Sequence, residues 1–457
     1  MSEALSLIFG QLGGFLALTW WLWAFFLLAP LSSSIWRFWR NEHFLRSTNM
    51  VLLELLLPRE TLKSPRAMEQ VLTAIHALRN SPGDIVEQWW DGESPRTFSF
   101  EIVSFGGEVH FYVRTFIKTK MLVEAAFYAN YPDIEIIEAD DYVTRFPGTL
   151  KEMNAQNYTM WGSEITLAKE SPYPIKTFED FESPDEEKEY DPISALIEVF
   201  AKAKKEEIVA IQFLATPVAI GWQKKWQPLV RTLKESKGAA AAVAKKRASR
   251  SWDFSTGILP ITEVVVGDSK EDNAIFKSFM RTPGETDTLK AVEENLDRPA
   301  FEMIIRVNYF SPRELFYESY AKRGVMGSLN QYAHQSMNSF RAVTKTLVYP
   351  AGKPYVKPFI FANTRNNYKK QRLIYDYRHR NIQPENFIGK VVTSSIFDWN
   401  FKKQPFEITT KCFATIFHPP TRYVTTTPHI RQVASKKAGP PAGLAIFGDE
   451  KEIESYQ

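Results

Sequence analysis

The chain has 457 residues, of which 44% are hydrophobic and 24% are charged, and its formal net charge is +3. This composition excludes an intrinsically disordered protein, and the length predicts two or three domains. A charge this close to balance means that any binding of nucleic acid has to rest on a local patch. The single cysteine, Cys412, excludes an internal disulfide and fits a reducing compartment.

Residues 4–31 form an uncharged, mostly apolar run. About 20 such residues span the hydrocarbon core of a bilayer, so the run predicts a transmembrane helix. Arginines follow it while only Glu3 precedes it, which predicts a single-pass inner-membrane protein with the bulk of the chain in the cytoplasm. A cleaved signal peptide is the alternative, but a charged n-region and a small-residue cleavage site are missing.

Membrane lipid is therefore an expected partner of the N-terminal segment. The residues predicted to lie at the membrane interface are Trp20, Trp21, Trp23, Trp36, Arg37, Trp39 and Arg40. Gly10 and Gly14 form a small-xxx-small pair, which leaves a homo-oligomer open.

Residues 47–150 predict the element order βαββαβ. The pattern gives a strand at 51–57, a helix from Ser64-Pro65 to about Arg79, a hairpin at 98–115 that turns at Gly106-Gly107, a helix from Met121 and a strand at 134–137. This order is the ferredoxin-like arrangement, in which two helices cover one face of a four-stranded antiparallel sheet.

Residues 151–350 predict a second, interrupted copy, so the expected fold is α+β with a transmembrane helix and tandem ferredoxin-like units. The predicted elements are strands at 161–168, 207–215 and 301–309, a helix at 193–204 and a further helix that opens at Ser311-Pro312. A long insertion at about 216–299 interrupts this unit, and the sequence leaves open whether it is a domain of its own.

The remaining segments are interpreted from composition. Residues 1–46 are the anchor and juxtamembrane segment, 351–435 a basic and helical region, and 436–457 a linker-like tail. The acidic run 179–191 is expected to be solvated, and the basic, low-complexity run 237–251 is expected to be a tether, with contact to anionic lipid as a further option.

The sequence contains no recognisable catalytic motif. The patterns G-x-x-x-x-G-K-[ST], H-E-x-x-H, G-x-S-x-G and G-x-G-x-x-G after a strand are all missing, and the seven histidines are scattered without the spacing of metal ligands. We therefore expect no catalytic residue, metal site or cofactor. An enzyme with an unrecognised motif is the alternative.

A basic and aromatic patch at 365–380 is the strongest local signal of binding. Its candidate nucleic-acid-binding residues are Arg365, Tyr368, Lys369, Lys370, Arg372, Tyr375, Arg378 and Arg380. Cations that contact phosphates and rings that stack on bases are the ingredients of sequence-tolerant nucleic-acid binding. A solvated basic helix or loop is the alternative interpretation.

The closing stretch 406–420 (FEITTKCFATIFHPP), followed by KKAGPP at 436–441, resembles a region of HerA/TraD-like membrane ATPases of type IV secretion and conjugation systems. In those proteins an N-T-E-E-L-A-T-L-F-H-x-P helix and a lysine-alanine-proline linker precede the nucleotide-binding domain. The hairpin 98–115 and residues 131–135 are also similar to the membrane-anchored front half of such proteins.

The sequence departs from the family in two ways. Thr410-Lys411 replaces the acidic pair at the start of the terminal helix, and no ATPase domain follows the linker. The resemblance therefore implies a non-catalytic membrane component that anchors or positions a separate P-loop, DNA-translocating ATPase. The alternative is a membrane-tethered protein that binds DNA through the patch at 365–380.

Overall fold

One antiparallel sheet, with nine strands among the residues that the structure describes, organises the chain. The computed structural model describes residues 2–58, 63–80, 83–182, 190–234, 283–350, 361–382, 401–421 and 430. The strands are β1 (Met50–Leu56), β2 (Phe98–Phe105), β3 (Glu108–Phe116), β4 (Glu135–Ala139), β5 (Tyr158–Leu167), β6 (Ile208–Pro217), β7 (Ala300–Pro312), β8 (Phe340–Ala342) and β9 (Phe406–Thr409). The helices are α1 (Ser2–Ser47), α2 (Pro65–Ala77), α3 (Lys120–Asn130), α4 (Leu150–Ala155), α5 (Ser194–Ala201), α6 (Pro283–Leu296), α7 (Met326–Asn330), α8 (Ala362–His379) and α9 (Thr410–Ile416).

The strand order is β4-β1-β3-β2-β6-β7-β5-β8, and β9 pairs with the first residues of β7. The two halves of the sheet meet where β2 pairs with β6. From that pairing towards one edge the strands follow as β2, β3, β1 and β4, and towards the other edge as β6, β7, β5 and β8. In each half, the second strand of the sequence therefore comes first, followed by the third, the first and the fourth. The expected α+β class is confirmed, and strands β1–β4 and β5–β8 fall within the predicted ranges 47–150 and 151–350.

The hairpin of β2 and β3 turns at the predicted glycines. Gly106 and Gly107 have φ angles of 61° and 98°, the left-handed backbone that two-residue hairpin turns favour. The amide of Gly106 donates to the carbonyl oxygen of Glu207 at 3.0 Å, so the turn also holds the second half of the sheet.

One prediction of an element is wrong, and a prediction of exposure fails at one residue. Ser311 and Pro312 do not open a helix, because they extend β7 and pair with Thr159 and Tyr158, and helical structure resumes only at Glu318. In the acidic run 179–191, Glu179, Asp180 and Glu182 are exposed as expected, but Asp191 is buried, with 5% of its surface exposed. Residues 183–189 of the same acidic run, the tether 237–251 and the tail 436–457 lie outside the described residues.

The first face of the sheet carries the larger apolar core, which packs against α2, α3, α5 and α9. Every residue of α9 is buried, and its Phe413 ring lies 5.1 Å from Phe100 and 5.7 Å from Phe301. The second face is covered by α4, α8 and the short 3-10 helix Tyr142–Arg145.

Helix α1 runs from the N-terminus to the start of the sheet. Its segment Ala17–Ser47 is long and apolar enough, by length and composition, to span a membrane, and the most apolar part of this segment is not buried inside the protein. This length and composition agree with the predicted anchor. The helix ends two residues before β1, so it connects to the sheet by a very short link.

Candidate functional site

A row of polar residues crosses the second face of the sheet. The row runs over six adjacent strands through Glu54, Tyr112, Glu101, Gln212, Arg306 and Glu164, each of which pairs in register with the next. Register partners in an antiparallel sheet point to the same face, so these side chains form one line beneath α8. All six are buried, and four of them are charged.

The centre of the row is an ion cluster built on Arg380. Its guanidinium contacts Glu101 through Nε at 2.5 Å and contacts Asp141 through both terminal nitrogens at 2.8 and 2.9 Å. The hydroxyl of Tyr142 also donates to Glu101. Burial alone would lower the pKa of Arg380, but the charge of Glu101 and the hydrogen bond with Asp141 hold it well above its usual value.

A second ion cluster lies further along the same row. Arg306 donates to Glu164 at 2.8 Å, and Lys403 lies 3.1 Å from Asp376 of α8. Burial raises the pKa of Glu164 in spite of the nearby Arg306. Among the described residues, Oε1 of Gln212 and Nε of Arg306 have no hydrogen-bond partner. A buried polar atom without a hydrogen bond is energetically unfavourable, so apolar packing alone does not explain this face of the sheet.

A cleft of about 1030 Å³, which we name the α1–α8 cleft, lies beside the middle of the row. Its residues Ser99 and Arg114 are two positions along β2 and β3 from Glu101 and Tyr112. Its first wall is the C-terminal part of α1, its second is the segment 88–97, and its third is the end of α8 with residues 380–382. Ser99, Arg114, Thr216 and Glu302 of the sheet form its floor. The cleft therefore lies at the junction between the apolar helix and the sheet.

The α1–α8 cleft is predominantly basic. The charged side chains that line it are Arg37, Glu42, Arg46, Glu93, Arg114, Glu302, Arg378 and Arg380. Arg46 pairs with Glu42 at 3.2 Å, and Arg380 is held by Glu101 and Asp141. In the part of the chain that the structure describes, Arg37, Arg114 and Arg378 form no ion pair, and neither do the glutamates Glu93 and Glu302. The guanidinium of Arg378 lies against Gly148, near the Glu152 carboxylate.

Arg114 is the most deeply placed of these three cations. It is partly buried on β3, opposite Ser99 of β2. Burial, together with repulsion from Arg380, lowers the pKa of Arg114 to about 10. The side chain is still charged at neutral pH, so the protein holds an incompletely compensated positive charge at the floor of the cleft.

Aromatic contacts fix α1 to the sheet body at the rim of the cleft. The Nε1 of Trp36 donates to the carbonyl oxygen of Trp89 at 2.7 Å, and the Trp36 ring lies 5.6 Å from Trp90. The guanidinium of Arg37 lies 5.0 Å from the Trp89 ring. Gly92 has a φ of 73° and lies so close to Arg40 that any β-carbon would collide with the Arg40 backbone. Because Gly92 has no side chain, the segment 88–97 can pack closely against α1.

A family model described as a domain of unknown function, DUF8128, matches residues 42–357. The chain belongs to the DUF8128 family. The match spans β1 to β8 and ends before α8, so Glu101, Arg114, Glu164 and Arg306 lie within the DUF8128 domain and Arg380 lies beyond it. No curated protein matches this chain. The family match does not connect the chain with HerA/TraD-like ATPases, so that resemblance stays a prediction.

The predicted patch at 365–380 forms helix α8, which packs against the DUF8128 sheet. Arg365, Lys369, Lys370 and Arg380 are buried, whereas Tyr368, Arg372, Tyr375 and Arg378 are partly exposed. The Nζ of Lys370 donates to the carbonyl oxygen of Pro350 at 2.6 Å, and burial lowers its pKa to about 8. Four of the eight candidate side chains therefore face the interior, which differs from the open surface that the patch predicted.

The structure brings parts of the two predicted site sets together. Arg37 from the predicted membrane interface lines the α1–α8 cleft with Tyr375, Arg378 and Arg380 from the predicted patch. Trp20 and Trp21 are 66% and 61% exposed on the apolar helix, and Trp36 and Trp39 are exposed near its end. Arg40 lies over the Trp39 ring at 5.6 Å. The side chain of Trp23 lies outside the described positions.

The sequence interpretation missed the charges of the sheet. Glu54, Glu101, Glu164 and Arg306 each interrupt an otherwise apolar strand pattern, as in Phe98-Ser-Phe-Glu-Ile-Val. That interruption was the available signal, since a charge in a buried strand has to be compensated. Within the described ranges no group of three or more His, Cys, Asp or Glu residues is arranged to hold a metal ion. His110 and His418 instead pair with Glu54 and Asp191 at 2.7 and 2.9 Å.

Proposed function

We propose that this protein is a single-pass inner-membrane component whose cytoplasmic α+β body docks a partner and performs no catalysis itself. The observation that carries the proposal is the junction of α1 with the body. Trp36 bonds to Trp89 directly after the apolar segment, and α1 continues to within two residues of β1. A helix mounted in this way transmits a fixed orientation to the body, as a membrane scaffold requires.

The body of this scaffold consists of tandem ferredoxin-like units, the second with the long insertion. The strand order supports this, because each half of the sheet follows the order second, third, first, fourth from the central β2–β6 pairing. That is the order of a ferredoxin-like unit read from one edge. Joining two units through equivalent strands gives a pseudo-symmetric platform with helices on its larger apolar face.

The proposed partner is a separately encoded P-loop ATPase that translocates DNA in a type IV secretion-like or conjugation machine. Its support is the resemblance of residues 406–420. In this chain those residues form β9 and α9, where Phe413 lies in the core and Lys411 contacts Glu179 and Glu294. A docked ATPase would therefore contact exposed parts of the body rather than α9 itself.

Crosslinking in the native host tests this function. The full chain is tagged, membranes are washed with alkaline carbonate, and crosslinked partners are identified by mass spectrometry. We expect the chain to stay in the carbonate pellet and to enrich a P-loop ATPase. The matched control is the same body carried by an unrelated transmembrane helix, which should keep the ATPase if the body is the docking element. Recovery of the chain in the carbonate supernatant contradicts the anchor, and a membrane-bound chain without an ATPase contradicts the partner.

A second candidate function is nucleic-acid binding, and the partial exposure of four patch residues favours it. Arg372 and Arg378 are the accessible cations of α8, and Tyr375 lies beside Arg378 in the cleft lining. The double variant Arg372→Gln/Arg378→Gln should weaken binding of single-stranded DNA and flatten its salt dependence. Arg231→Gln/Arg323→Gln is the control, because it removes two exposed arginines elsewhere. Equal binding by both variants would dismiss this function.

A further inference from the structure

A short helical segment at residues 85–91 lies beside α1 with most of its apolar side exposed. Its apolar residues are Ile85, Val86, Trp89 and Trp90, and its polar residues are Glu87, Gln88 and Asp91. At helical spacing the four apolar residues fall on one side, which is the pattern of an amphipathic helix. In a globular protein such a side usually faces the core. Here Ile85, Val86 and Trp90 are instead 75%, 60% and 65% exposed.

The exposed side of segment 85–91 is continuous with exposed apolar surface of α1. The Trp90 ring lies 5.6 Å from the Trp36 ring, and Trp36 is also hydrogen-bonded to the carbonyl oxygen of Trp89. The neighbouring large side chains of α1 are exposed as well, namely Ile35, Phe38 and Trp39. Two elements that are distant in the chain therefore form one exposed apolar patch, and such patches mark contacts with other proteins or with membranes.

The patch lies at the depth of the lipid headgroups if α1 spans the membrane. At 1.5 Å per residue, Trp36 lies about 7.5 Å beyond Leu31, where the apolar run ends. The headgroup layer is about 5–7.5 Å thick on each side of the bilayer. Residues 4–31 measure about 42 Å, which exceeds the hydrocarbon core of about 30 Å. A tilt that fits this length to the core also brings Trp36 closer to the core.

Segment 85–91 approaches the membrane as it is followed back from its end. Gly92 packs against the backbone of Arg40, whereas Trp90 contacts Trp36, which is one turn of α1 nearer to the apolar run. Ile85 precedes Trp90 by slightly more than one turn of the segment. Continuing in this direction brings the most exposed apolar residue of the segment to the membrane side of the body.

The charges of the segment favour a neutral lipid surface. Glu87 and Asp91 lie on its polar side and Asp84 directly precedes it, whereas Arg37 stacks over the Trp89 ring at 5.0 Å. The segment is therefore negative overall, and anionic headgroups repel negative charge. Membrane binding has to come from burial of the apolar side in the interface while the polar side stays in water, as in an amphipathic helix that lies in the plane of the bilayer.

We propose that segment 85–91 is a second membrane contact, in which Ile85, Val86 and Trp90 insert among the headgroups of neutral phospholipids beside α1. This inference rests on the membrane anchoring in the proposed function, but not on the ATPase partner. A single helix leaves the body free to rotate about the helix axis. A second contact beside it fixes which side of the body meets the membrane.

Spin labels on the full chain in phosphatidylcholine vesicles test the proposal. A nitroxide is attached at Ile85→Cys or, separately, at Val86→Cys, where exposed side chains make the substitutions compatible with the fold. Its collisions with oxygen, which concentrates in the bilayer, are compared with those of a water-soluble nickel chelate. The control is Met121→Cys on α3, because Met121 is 79% exposed and the nearby Ile117 bonds to Asn49, beyond the end of α1 farthest from the apolar run.

We expect the labels at positions 85 and 86 to collide more with oxygen than with the nickel chelate, and the label at position 121 to show the reverse. Equal access of the nickel chelate to all three labels would overturn the proposal. Protection of positions 85 and 86 from both reagents would overturn it in favour of a contact with a second copy of the chain. The native Cys412 is 3% exposed, so the wild-type chain treated with the same reagent gives the background of labelling.

Two further measurements test the lipid charge and separate this inference from the anchor. Phosphatidylglycerol added to the vesicles should not raise the ratio of oxygen to nickel collisions at position 85, because the segment is acidic. A higher ratio would overturn the assignment to neutral lipid. Carbonate extraction of the same vesicles tests α1 by itself. A carbonate-resistant chain with a water-exposed label at position 85 overturns only the second contact, whereas release by carbonate overturns the anchor.

Discussion

The guanidinium of Arg380 joins the end of α8 to Glu101 at the centre of the sheet, across 279 residues of sequence. Nε lies 2.5 Å from Oε1 and a terminal nitrogen lies 3.2 Å from Oε2, so the pair is bidentate. Arg380 ends α8 with a left-handed φ of 51°, and Glu101 is completely buried. Each charge is tolerated in the interior because the other one compensates it.

Removing one partner of this pair should be strongly destabilising. Arg380→Gln leaves Glu101 buried without its cation, and we expect a loss of about 3–5 kcal/mol in the free energy of unfolding. Glu101→Gln/Arg380→Gln should recover part of that loss, because the completely buried position 101 no longer carries an unpaired charge. The recovery is incomplete, since Asp141 still loses its contacts with Arg380. Arg378→Gln, two residues away, should cost less than about 1 kcal/mol. If denaturant titrations give Arg380→Gln and Arg378→Gln the same cost, the pair is not a structural element.

A second buried pair predicts how stability changes in acid. Burial alone would raise the pKa of Asp191, but the charge and hydrogen bond of His418 and the amides of Thr421 and Ile193 lower it below the ordinary value. The unfolded chain therefore binds a proton more readily than the folded one. The stability that Asp191 contributes is present above about pH 3.9 and is lost as the pH falls through its lower folded value.

The variant Asp191→Asn should lose this pH dependence of the stability, because asparagine does not titrate. We expect a loss of about 1–3 kcal/mol in the free energy of unfolding at pH 7, because buried hydrogen bonds to a charge are lost. The difference from the wild type should shrink as the pH falls below about 3.9. Urea unfolding at several pH values measures both effects, and a difference that is constant with pH would contradict the assignment.

The parts of the fold that were predicted correctly follow from local sequence patterns, namely the spacing of apolar residues and the residues at turns and helix ends. The hairpin at Gly106-Gly107 follows from two alternating strands around a turn that needs positive φ angles. Helix α2 follows from Pro65 at its first turn and apolar residues at helical spacing. At Ser311-Pro312 the same local signal failed, because pairing of β7 with β5 outweighed it.

Long-range charge pairing explains what the sequence did not predict. The composition of α8 is that of a solvated basic helix, yet Arg365, Lys369 and Lys370 are buried. Its Asp376 and the adjacent Arg380 find their partners at Lys403 and Glu101, which are distant in the chain. A helix whose polar residues meet the polar row of a sheet has no apolar stripe by which to recognise it. The α1–α8 cleft was not predicted from the sequence either, because its lining residues are distant from one another in the chain.

Lys370 provides a test of that burial. Its pKa is lowered to about 8 by burial and by the charge of Arg313, whereas the unfolded value is about 10.4. Between these values the unfolded chain binds more protons, so the contribution of Lys370 to stability rises with pH. Relative to Lys370→Met, the wild type should gain up to about 3 kcal/mol between pH 8 and 10.4. A difference between the two proteins that does not change with pH would show that Lys370 is solvated, as nucleic-acid binding through this residue would require.

The junction between α1 and the body depends on Gly92. A β-carbon there would collide with the Arg40 backbone, and the φ of 73° is itself unfavourable for alanine by about 1–2 kcal/mol. Gly92→Ala should therefore loosen the segment 87–93 and speed its amide hydrogen exchange at least about tenfold, since 1.4 kcal/mol corresponds to a factor of ten. Exchange in β2 and β6 should not change, because those strands lie in the core of the sheet. Gly284→Ala, where a β-carbon meets nothing within 4 Å, is the control. Unchanged exchange at 87–93 in Gly92→Ala would mean that this contact does not hold the body against the helix.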